Sequence, residues 1–228
     1  MTNNVPVVTI DGPSGAGKGT VAQILSRHLG YHLLDSGAVY RAAGLHALKS
    51  GANLECEAAV IDSLESMRAE FLPHASGVKV KLDGVDVTSE LRDESTAAAA
   101  SKVAAMPQVR AALLDEQRSF RIKPGLVADG RDMGTAVFPD ADLKVFLSAS
   151  AEVRAARRAS QLKEKGVQVN MESLIQDISV RDERDCSRVH SPLVAASGAL
   201  VIDSSSLTVD CVVNQILSAL EVCTVENR

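Results

Sequence analysis

The segment that most limits the fold of this chain is GPSGAGKGT, which runs from Gly12 to Thr20. It follows a short β-branched run at residues 7–10, and after it apolar residues recur every four positions until Gly30. Glycines let a backbone wrap a phosphate without a side chain in the way, and the N–H groups of a following helix add positive charge. The pattern therefore predicts a strand, a phosphate-binding loop and a helix, in that order.

The basic residue of this loop is Lys18, which would reach the β- and γ-phosphates of a nucleotide as a point charge. Gly19 separates Lys18 from Thr20, whereas the general pattern puts Ser or Thr directly after the lysine. The order GKGT resembles the nucleotide kinases among P-loop proteins rather than the GTPases, and Thr20 could meet Mg²⁺ directly or through water. We predict that ATP binds to nine loop residues: Gly12, Pro13, Ser14, Gly15, Ala16, Gly17, Lys18, Gly19 and Thr20.

The apolar pattern of the whole chain predicts an α/β fold. Five short apolar runs are separated by helical patterns, which is typical of a doubly wound, five-stranded parallel sheet; the runs are residues 7–10, 31–34, 126–129, 143–148 and 200–203. Asp83-Gly84 between two β-branched runs predicts a small antiparallel β-hairpin insert. The remaining pattern predicts helices that include residues 57–71 and 171–188.

Composition limits the partners of the chain. Its 228 residues carry a net charge of −5, which argues against a general nucleic-acid or anionic-membrane surface. The four cysteines lack metal-site spacing, so we expect reduced thiols in a cytoplasmic protein. We also expect no secretion signal and no membrane span.

The segment DSGAVYR ends the second predicted strand, where α/β sheets bind ligands. Ser36 could bond to a base or to a phosphate, or it could only cap the next helix. Arg41 could clamp a monophosphate through two hydrogen bonds, or it could lie on a solvated helix face.

The segment VADGRDMGT ends another predicted strand. Asp129 closes the apolar run as a Walker-B-type carboxylate would, and it could orient Mg²⁺-bound water or the acceptor phosphate. The alternative is a simple Asp-Gly turn. Arg131 and Asp132 follow in the predicted loop.

The segment RDERDCSR places Arg181, Arg184 and Arg188 at helical positions i, i+3 and i+7. Three guanidinium groups on one face repel each other unless an anion binds, so we predict an anion-binding lid for phosphoryl transfer. The alternative is a solvated face with ordinary ion pairs. Three upstream arginines could belong to the same lid: Arg154, Arg157 and Arg158.

Four segments together, GPSGAGKGT, DSGAVYR, GRDMGTAVFPDADLKVFLSAS and RDERDCSR, resemble the bacterial cytidylate kinase family, over nearly the whole chain and in order. The resemblance implies a cytoplasmic monomer that phosphorylates CMP and dCMP with ATP and Mg²⁺. The alternative is another small-molecule or nucleoside-monophosphate P-loop kinase. Cys186 stands where the family often has serine.

The resemblance also implies one kinase domain over residues 1–228 with three parts. These are a core (about 1–60, 95–150 and 192–228), a monophosphate-binding insert (about 61–94) and a lid (about 151–191). Arg157 would join the ATP site, and the catalytic residues would be Lys18, Asp129, Arg131 and Arg188. The substrate-binding residues would be Ser36, Tyr40, Arg41, Ser101, Arg110, Arg131, Asp132, Arg181, Asp185 and Arg188.

Proteins of other classes fit the sequence less well. A guanine-reading nucleotide switch would need Asn-Lys-x-Asp after a strand, and the sequence contains no Asn-Lys pair. An ATPase that binds nucleic acid would need a wider basic surface than a net charge of −5 provides.

The chemistry of the base yields the first prediction. Cytosine offers an amino donor, which suits the carboxylate of Asp132, and two acceptors, which suit Arg110 and Ser101. A site built around hydrogen bonds can reject a wrong partner by as much as ~10⁴-fold. Asp132→Ala should therefore lower kcat/KM for CMP and narrow its ratio to that for UMP. Wild-type discrimination in the folded variant would show that Asp132 does not read the base.

Overall fold

The computed structural model describes residues 5–74, 77–164, 166 and 168–226. Two compact units divide the chain: one joins Met1–His32 to Ile122–Arg228, and the other is Leu33–Arg121. The strands are β1 (Val7–Asp11), β2 (His32–Asp35), β3 (Ala69–His74), β4 (Gly77–Leu82), β5 (Val85–Asp86), β6 (Leu126–Gly130), β7 (Leu143–Ser148) and β8 (Leu200–Asp203).

The helices lie between these strands, as the sequence pattern predicts. They are α1 (Lys18–Leu29), α2 (Ser36–Lys49), α3 (Glu57–Leu64), α4 (Glu94–Val103), α5 (Pro107–Ser119), α6 (Ala151–Glu164), α7 (Met171–Cys186) and α8 (Val209–Glu226). Gly30 ends α1 in a left-handed conformation, and Pro107 occupies the first turn of α5. Both positions suit the residue, since glycine tolerates positive φ and proline has no N–H to leave unpaired there.

The large sheet is parallel and has five strands in the order β2-β6-β1-β7-β8. Val8 of β1 lies between Val127 of β6 and Leu143 of β7, and Leu147 of β7 lies beside Ile202 of β8. All five of these side chains are buried. α1 packs against β6, and α8 packs against β7 and β8. The α/β fold predicted from the apolar runs is confirmed.

The second unit contains a three-stranded antiparallel sheet in the order β3-β4-β5. Leu82 pairs with Val85 across a two-residue turn, in which Asp83 and Gly84 have φ of 50° and 80°. Positive φ at both turn residues matches the type I′ turn that Asp-Gly favours. The predicted hairpin is therefore present, and its buried face, which includes Val80, packs against α2.

The prediction of one helix over residues 57–71 is wrong. α3 ends at Leu64, and β3 begins at Ala69 and pairs along its length with β4. Ala69 and Phe71 are half-buried against the apolar cluster while Glu70 is exposed, which is the two-residue period of a strand. Pairing with β4 comes from tertiary structure, so a short window of sequence does not reveal it.

The arginine-rich helix also ends earlier than predicted, because α7 stops at Cys186 rather than at Arg188. In the part of the chain that the structure describes, no helix is long and apolar enough to cross a membrane.

The packing of α2 on α4 yields a prediction about stability. A Cβ at Gly44 would lie 2.7 Å from the backbone nitrogen of Ala100 and 3.0 Å from the carbonyl carbon of Ala99. Helix propensity alone would make Gly44→Ala stabilising by roughly 1 kcal/mol. Overpacking of a close contact costs about 1–3 kcal/mol, so we expect a lower free energy of unfolding in urea. A gain in stability would contradict the close approach of the two helices.

Candidate nucleotide-binding site

The phosphate loop begins at a position that only glycine can occupy. Gly12 has φ of +149°, and a Cβ there would lie 1.9 Å from the carbonyl oxygen of Leu147 in β7. The loop then ends at Gly17, which has φ of 95° and directly precedes Lys18, the first residue of α1. The first N–H groups of a helix have no partner within it, so the start of α1 can bind a phosphate as predicted.

Lys18 is buried in this loop beside the carboxylate of Asp129. Its Nζ donates to the carbonyl oxygen of Pro13 at 3.0 Å and lies 3.8 Å from Oδ1 of Asp129. Burial lowers the pKa of Lys18 to about 8, and the charge of Arg131 acts in the same direction. The ammonium group therefore stays charged at neutral pH, yet it is held where a further negative charge would stabilise it.

The structure explains why position 19, the second glycine of GKGT, has no side chain. Asp129 lies within β6 rather than in a turn, so the simple Asp-Gly turn is not formed. A Cβ at Gly19 would lie 3.3 Å from Oδ2 of Asp129, closer than most real contacts of this kind. The absence of a side chain at position 19 lets the carboxylate lie against the first turn of α1. The next residue, Thr20, is exposed and supplies the hydroxyl that the general pattern places directly after the lysine.

Sequence reasoning missed Asp11, a carboxylate that ends the buried strand β1. Its two oxygens accept hydrogen bonds from the backbone nitrogens of Met133 and Gly134, both at 2.8 Å. Burial raises the pKa of Asp11 to about 6, although both amide bonds act against the rise. The bonds hold the segment after β6, which continues as a wide π-type turn over Met133–Val137 and carries the buried Asp132. The signal in the sequence is a charged residue that ends an apolar run.

Four of the five predicted acceptor residues of the first unit are Asp185 and three arginines around it, and the fifth is Asp132. Arg131 donates to Oδ2 of Asp185 from Nε at 2.9 Å, and Arg188 donates to Oδ1 of Asp185. Burial alone would raise the pKa of Asp185, but Arg131 and Arg188 hold it below the usual value, with help from Arg181. We call Arg131, Arg181, Asp185 and Arg188 the arginine cluster.

The arginine cluster differs from the predicted helix face. Arg188 lies beyond the end of α7, and Arg184 is exposed. Arg131, from the end of β6, supplies the third cation instead. The expectation of three arginines on one face of one helix is therefore wrong, because the helix ends two residues too early and the cluster is assembled from two segments.

Two arginines of α6 bind the outside of the phosphate loop. Arg154 is buried and donates to the carbonyl oxygen of Ser14 at 3.2 Å, while its Nη2 lies 2.6 Å from Asp182 of α7. Arg157 donates to the carbonyl oxygens of Ala16 at 3.3 Å and Ser204 at 2.7 Å. Both side chains hold the loop backbone, and the role of Arg157 as an ATP ligand stays a prediction. Arg158 is half-buried on the same helix.

The second unit contains the other predicted acceptor residues. The N-cap of α2 is Asp35, which accepts from the backbone nitrogen of Ala38 at 2.8 Å, so the capping alternative for Ser36 is wrong. Ser36 is buried instead, and its Oγ donates to Oε1 of Gln117 at 2.8 Å. Arg41 is half-exposed and lies 3.2 Å from Asp35.

Three further residues of this unit lie on α2, α4 and α5. The guanidinium of Arg110 stands over the ring of Tyr40 at 5.6 Å, and its Nη1 donates to the carbonyl oxygen of Ala104 at 3.3 Å. The ring and the carbonyl together limit the directions that Arg110 can take. Ser101 is buried on α4. Among the described residues, no group of three His, Cys, Asp or Glu side chains could hold a metal ion.

The burial of Lys18 separates its effect on function from its effect on stability. Lys18→Ala should lower ATP-dependent kcat by about 10²-fold or more, as loss of a charged transition-state donor does. Because the folded protein disfavours the charged form, as the lowered pKa shows, removal of the charge offsets part of the loss of the bond to Pro13, and the variant should fold with only a small decrease in melting temperature. Lys49→Ala, at a surface ion pair with Glu90, is the control and should change neither. A folded Lys18→Ala protein with wild-type kcat would contradict the site.

The sequence of the whole chain is similar to those of known proteins. The sequence profile of the cytidylate kinase family matches residues 8–222. The chain is 53% identical over 221 residues to cytidylate kinases of Aeromonas salmonicida (strain A449) and Vibrio cholerae serotype O1 (strain ATCC 39315 / El Tor Inaba N16961). These alignments cover 97% of this chain and 96% and 98% of the relatives. A gluconokinase structure from Sinorhizobium meliloti 1021 aligns at 15% identity with a TM-score of 0.46, over 95% of this chain and 92% of that one. The chain belongs to the cytidylate kinase family.

Proposed function

We propose that this protein transfers the γ-phosphoryl group of ATP to CMP and dCMP, with release of ADP and the cytidine diphosphates. A phosphate oxygen of the monophosphate attacks the γ-phosphorus, and the bond from that phosphorus to the bridging oxygen of ADP breaks. The observation that carries the proposal is the arginine cluster, which gathers guanidinium groups around Asp185 in a chain of the cytidylate kinase family.

The loop from Gly12 to Thr20 binds the phosphates of ATP in this proposal. Backbone N–H groups at the start of α1 and the ammonium of Lys18 neutralise the β- and γ-phosphates. The lowered pKa of Lys18 supports this role. Burial disfavours the charged ammonium group, and the negative charge of a nucleotide phosphate would stabilise it. Arg157 approaches the same loop and is the proposed further contact.

The arginine cluster stabilises the phosphoryl group during transfer. The positive charges of Arg131 and Arg188 act on the phosphoryl group in catalysis. Both residues, together with Arg181, also bind the acceptor nucleotide. Asp185 orients Arg131 and Arg188 before a nucleotide binds, because it is buried and bonds to both. Charges that are already oriented need no reorganisation at the moment of reaction, which is the condition for strong electrostatic catalysis.

Magnesium enters the site with ATP in this proposal. Mg²⁺ prefers oxygen ligands and usually keeps several waters, held by one or two carboxylates together with substrate phosphates. Asp129 beside Lys18 and the exposed hydroxyl of Thr20 fit such a donor set. The bound ion would bridge phosphate oxygens and neutralise their charge.

The base of the acceptor is read by Asp132, Ser101 and Arg110, and Ser36, Tyr40 and Arg41 complete the acceptor site. The fixed position of Asp132 supports a base contact, because this buried carboxylate directly precedes the two residues that bond to Asp11. The ring of Tyr40 and the carbonyl of Ala104 support the role of Arg110 by holding its guanidinium in place.

The remaining parts of the proposal concern organisation. A core, an insert at about 61–94 and a lid at about 151–191 form one kinase domain, which acts as a monomer. The hairpin of β4 and β5 supports the insert, and the bond between Arg154 and Asp182 supports a lid built from α6 and α7. Four cysteines without metal-site spacing suit the reducing conditions of the cytoplasm.

A coupled assay of ADP release tests the proposed activity. We expect rapid release with CMP and dCMP, slow release with UMP, and slower release with AMP and GMP because purines are larger. Chelation of Mg²⁺ with EDTA should stop release with every acceptor, and added Mg²⁺ should restore it. Preference for AMP or for a hydroxylated metabolite would overturn the cytidylate proposal in favour of another P-loop kinase.

A further inference from the structure

Two buried polar side chains of the second unit are bonded to each other. Ser36 begins α2 and is 3% exposed, while Gln117 lies on α5 and is 1% exposed. Oγ of Ser36 lies 2.8 Å from Oε1 of Gln117. A primary amide so fully buried must satisfy its hydrogen-bonding groups within the protein, so the direction of each bond carries information.

The directions follow from the chemistry of the partners. Nε2 of Gln117 donates to the carbonyl oxygen of Leu113, one turn earlier on α5, at 3.2 Å. A carbonyl oxygen can only accept, so the amide nitrogen must face Leu113 and the amide oxygen must face Ser36. That oxygen also can only accept, so Ser36 uses its single hydroxyl hydrogen on Gln117. The oxygen of Ser36 keeps its lone pairs, and toward a ligand it is an acceptor.

We propose that Gln117 is a positioning residue that fixes the direction of the Ser36 hydroxyl, so that Ser36 accepts a hydrogen bond from the exocyclic amino group of the base. The proposal rests on the proposed function, because Ser36 must belong to the acceptor site. It decides between the two ligands that the sequence leaves open for Ser36. A phosphate dianion carries no hydrogen to donate, whereas the amino group of cytosine does.

The same geometry gives Gln117 a part in base selection. Uracil has a carbonyl where cytosine has its amino group, so UMP would set one acceptor against another and leave Ser36 unpaired. A hydroxyl free to rotate would donate to that carbonyl and would tolerate both bases. The ribose hydroxyls are common to CMP and UMP, so a contact between Ser36 and the sugar would not change the preference between them.

The experiment measures kcat/KM for CMP and for UMP in the wild type and in Gln117→Met. Methionine keeps the length and the apolar bulk of the side chain but removes both hydrogen bonds. We expect the ratio of CMP to UMP to fall about tenfold, chiefly because UMP improves. Gln108→Met is the matched control on the exposed side of α5, and it should keep the wild-type ratio. An unchanged ratio in folded Gln117→Met would overturn the inference.

A second variant separates the direction of the hydroxyl from stability. Gln117→Glu still presents an acceptor to Ser36, but a carboxylate buried against the Leu113 carbonyl should lower the melting temperature. We expect the ratio to be kept in Gln117→Glu despite this loss, and a ratio that falls with stability in both variants would overturn the inference.

Two further outcomes complete the test. If Gln117→Met does not fold, Ser36→Ala decides, since loss of the accepting oxygen should narrow the ratio and an unchanged ratio would overturn the inference. Failure of the wild type to use CMP would instead overturn the proposed function, and the inference with it.

Discussion

The two hydrogen bonds from Met133 and Gly134 to Asp11 are the interaction on which the rest of the site depends. Asp11 directly precedes the phosphate loop, and its partners directly follow Asp132. A Cβ at Gly134 would lie 2.8 Å from the Thr9 hydroxyl, so the segment can approach β1 because it lacks a side chain there. One buried carboxylate thus joins the loop that binds the donor nucleotide to the segment that carries the proposed base reader.

The charges of the first unit are arranged around two carboxylates, the half-buried Asp129 and the buried Asp185. Asp129 lies beside Lys18, and Asp185 bonds to Arg131 and Arg188, so each cation group has an anion before any nucleotide binds. Without these carboxylates, the cations would repel one another and would lose their orientation. The balance is incomplete, since the pKa of Lys18 remains lowered. A phosphate beside Lys18 would supply negative charge to an ammonium group that the protein alone compensates only in part.

Local patterns in the sequence are enough to predict the parallel sheet, the phosphate loop and the hairpin, because each depends on residues close together in the chain. β3 was not predictable in this way, since its alternating exposure has meaning only beside β4. Arg181, Asp185 and Arg188 share one segment, whereas Arg131 is expected at the acceptor only from the family resemblance, because it joins them through a contact between residues 54 positions apart. The sequence around Asp11 and Gln117 does not reveal their roles for the same reason. Asp11 bonds to Met133, 122 positions away, and Gln117 bonds to Ser36, 81 positions away.

Arginines of α6 donate hydrogen bonds to carbonyl oxygens of the phosphate loop. A backbone that turns its N–H groups toward a phosphate must turn carbonyl oxygens away from it, and buried carbonyls need donors. Lys18 bonds to the carbonyl of Pro13, Arg154 to that of Ser14, and Arg157 and Ser204 to that of Ala16. Three carbonyl oxygens of the loop thus accept hydrogen bonds, and a cationic side chain donates to each of them. These bonds hold the loop backbone in position, and the same cations add positive potential behind the phosphates.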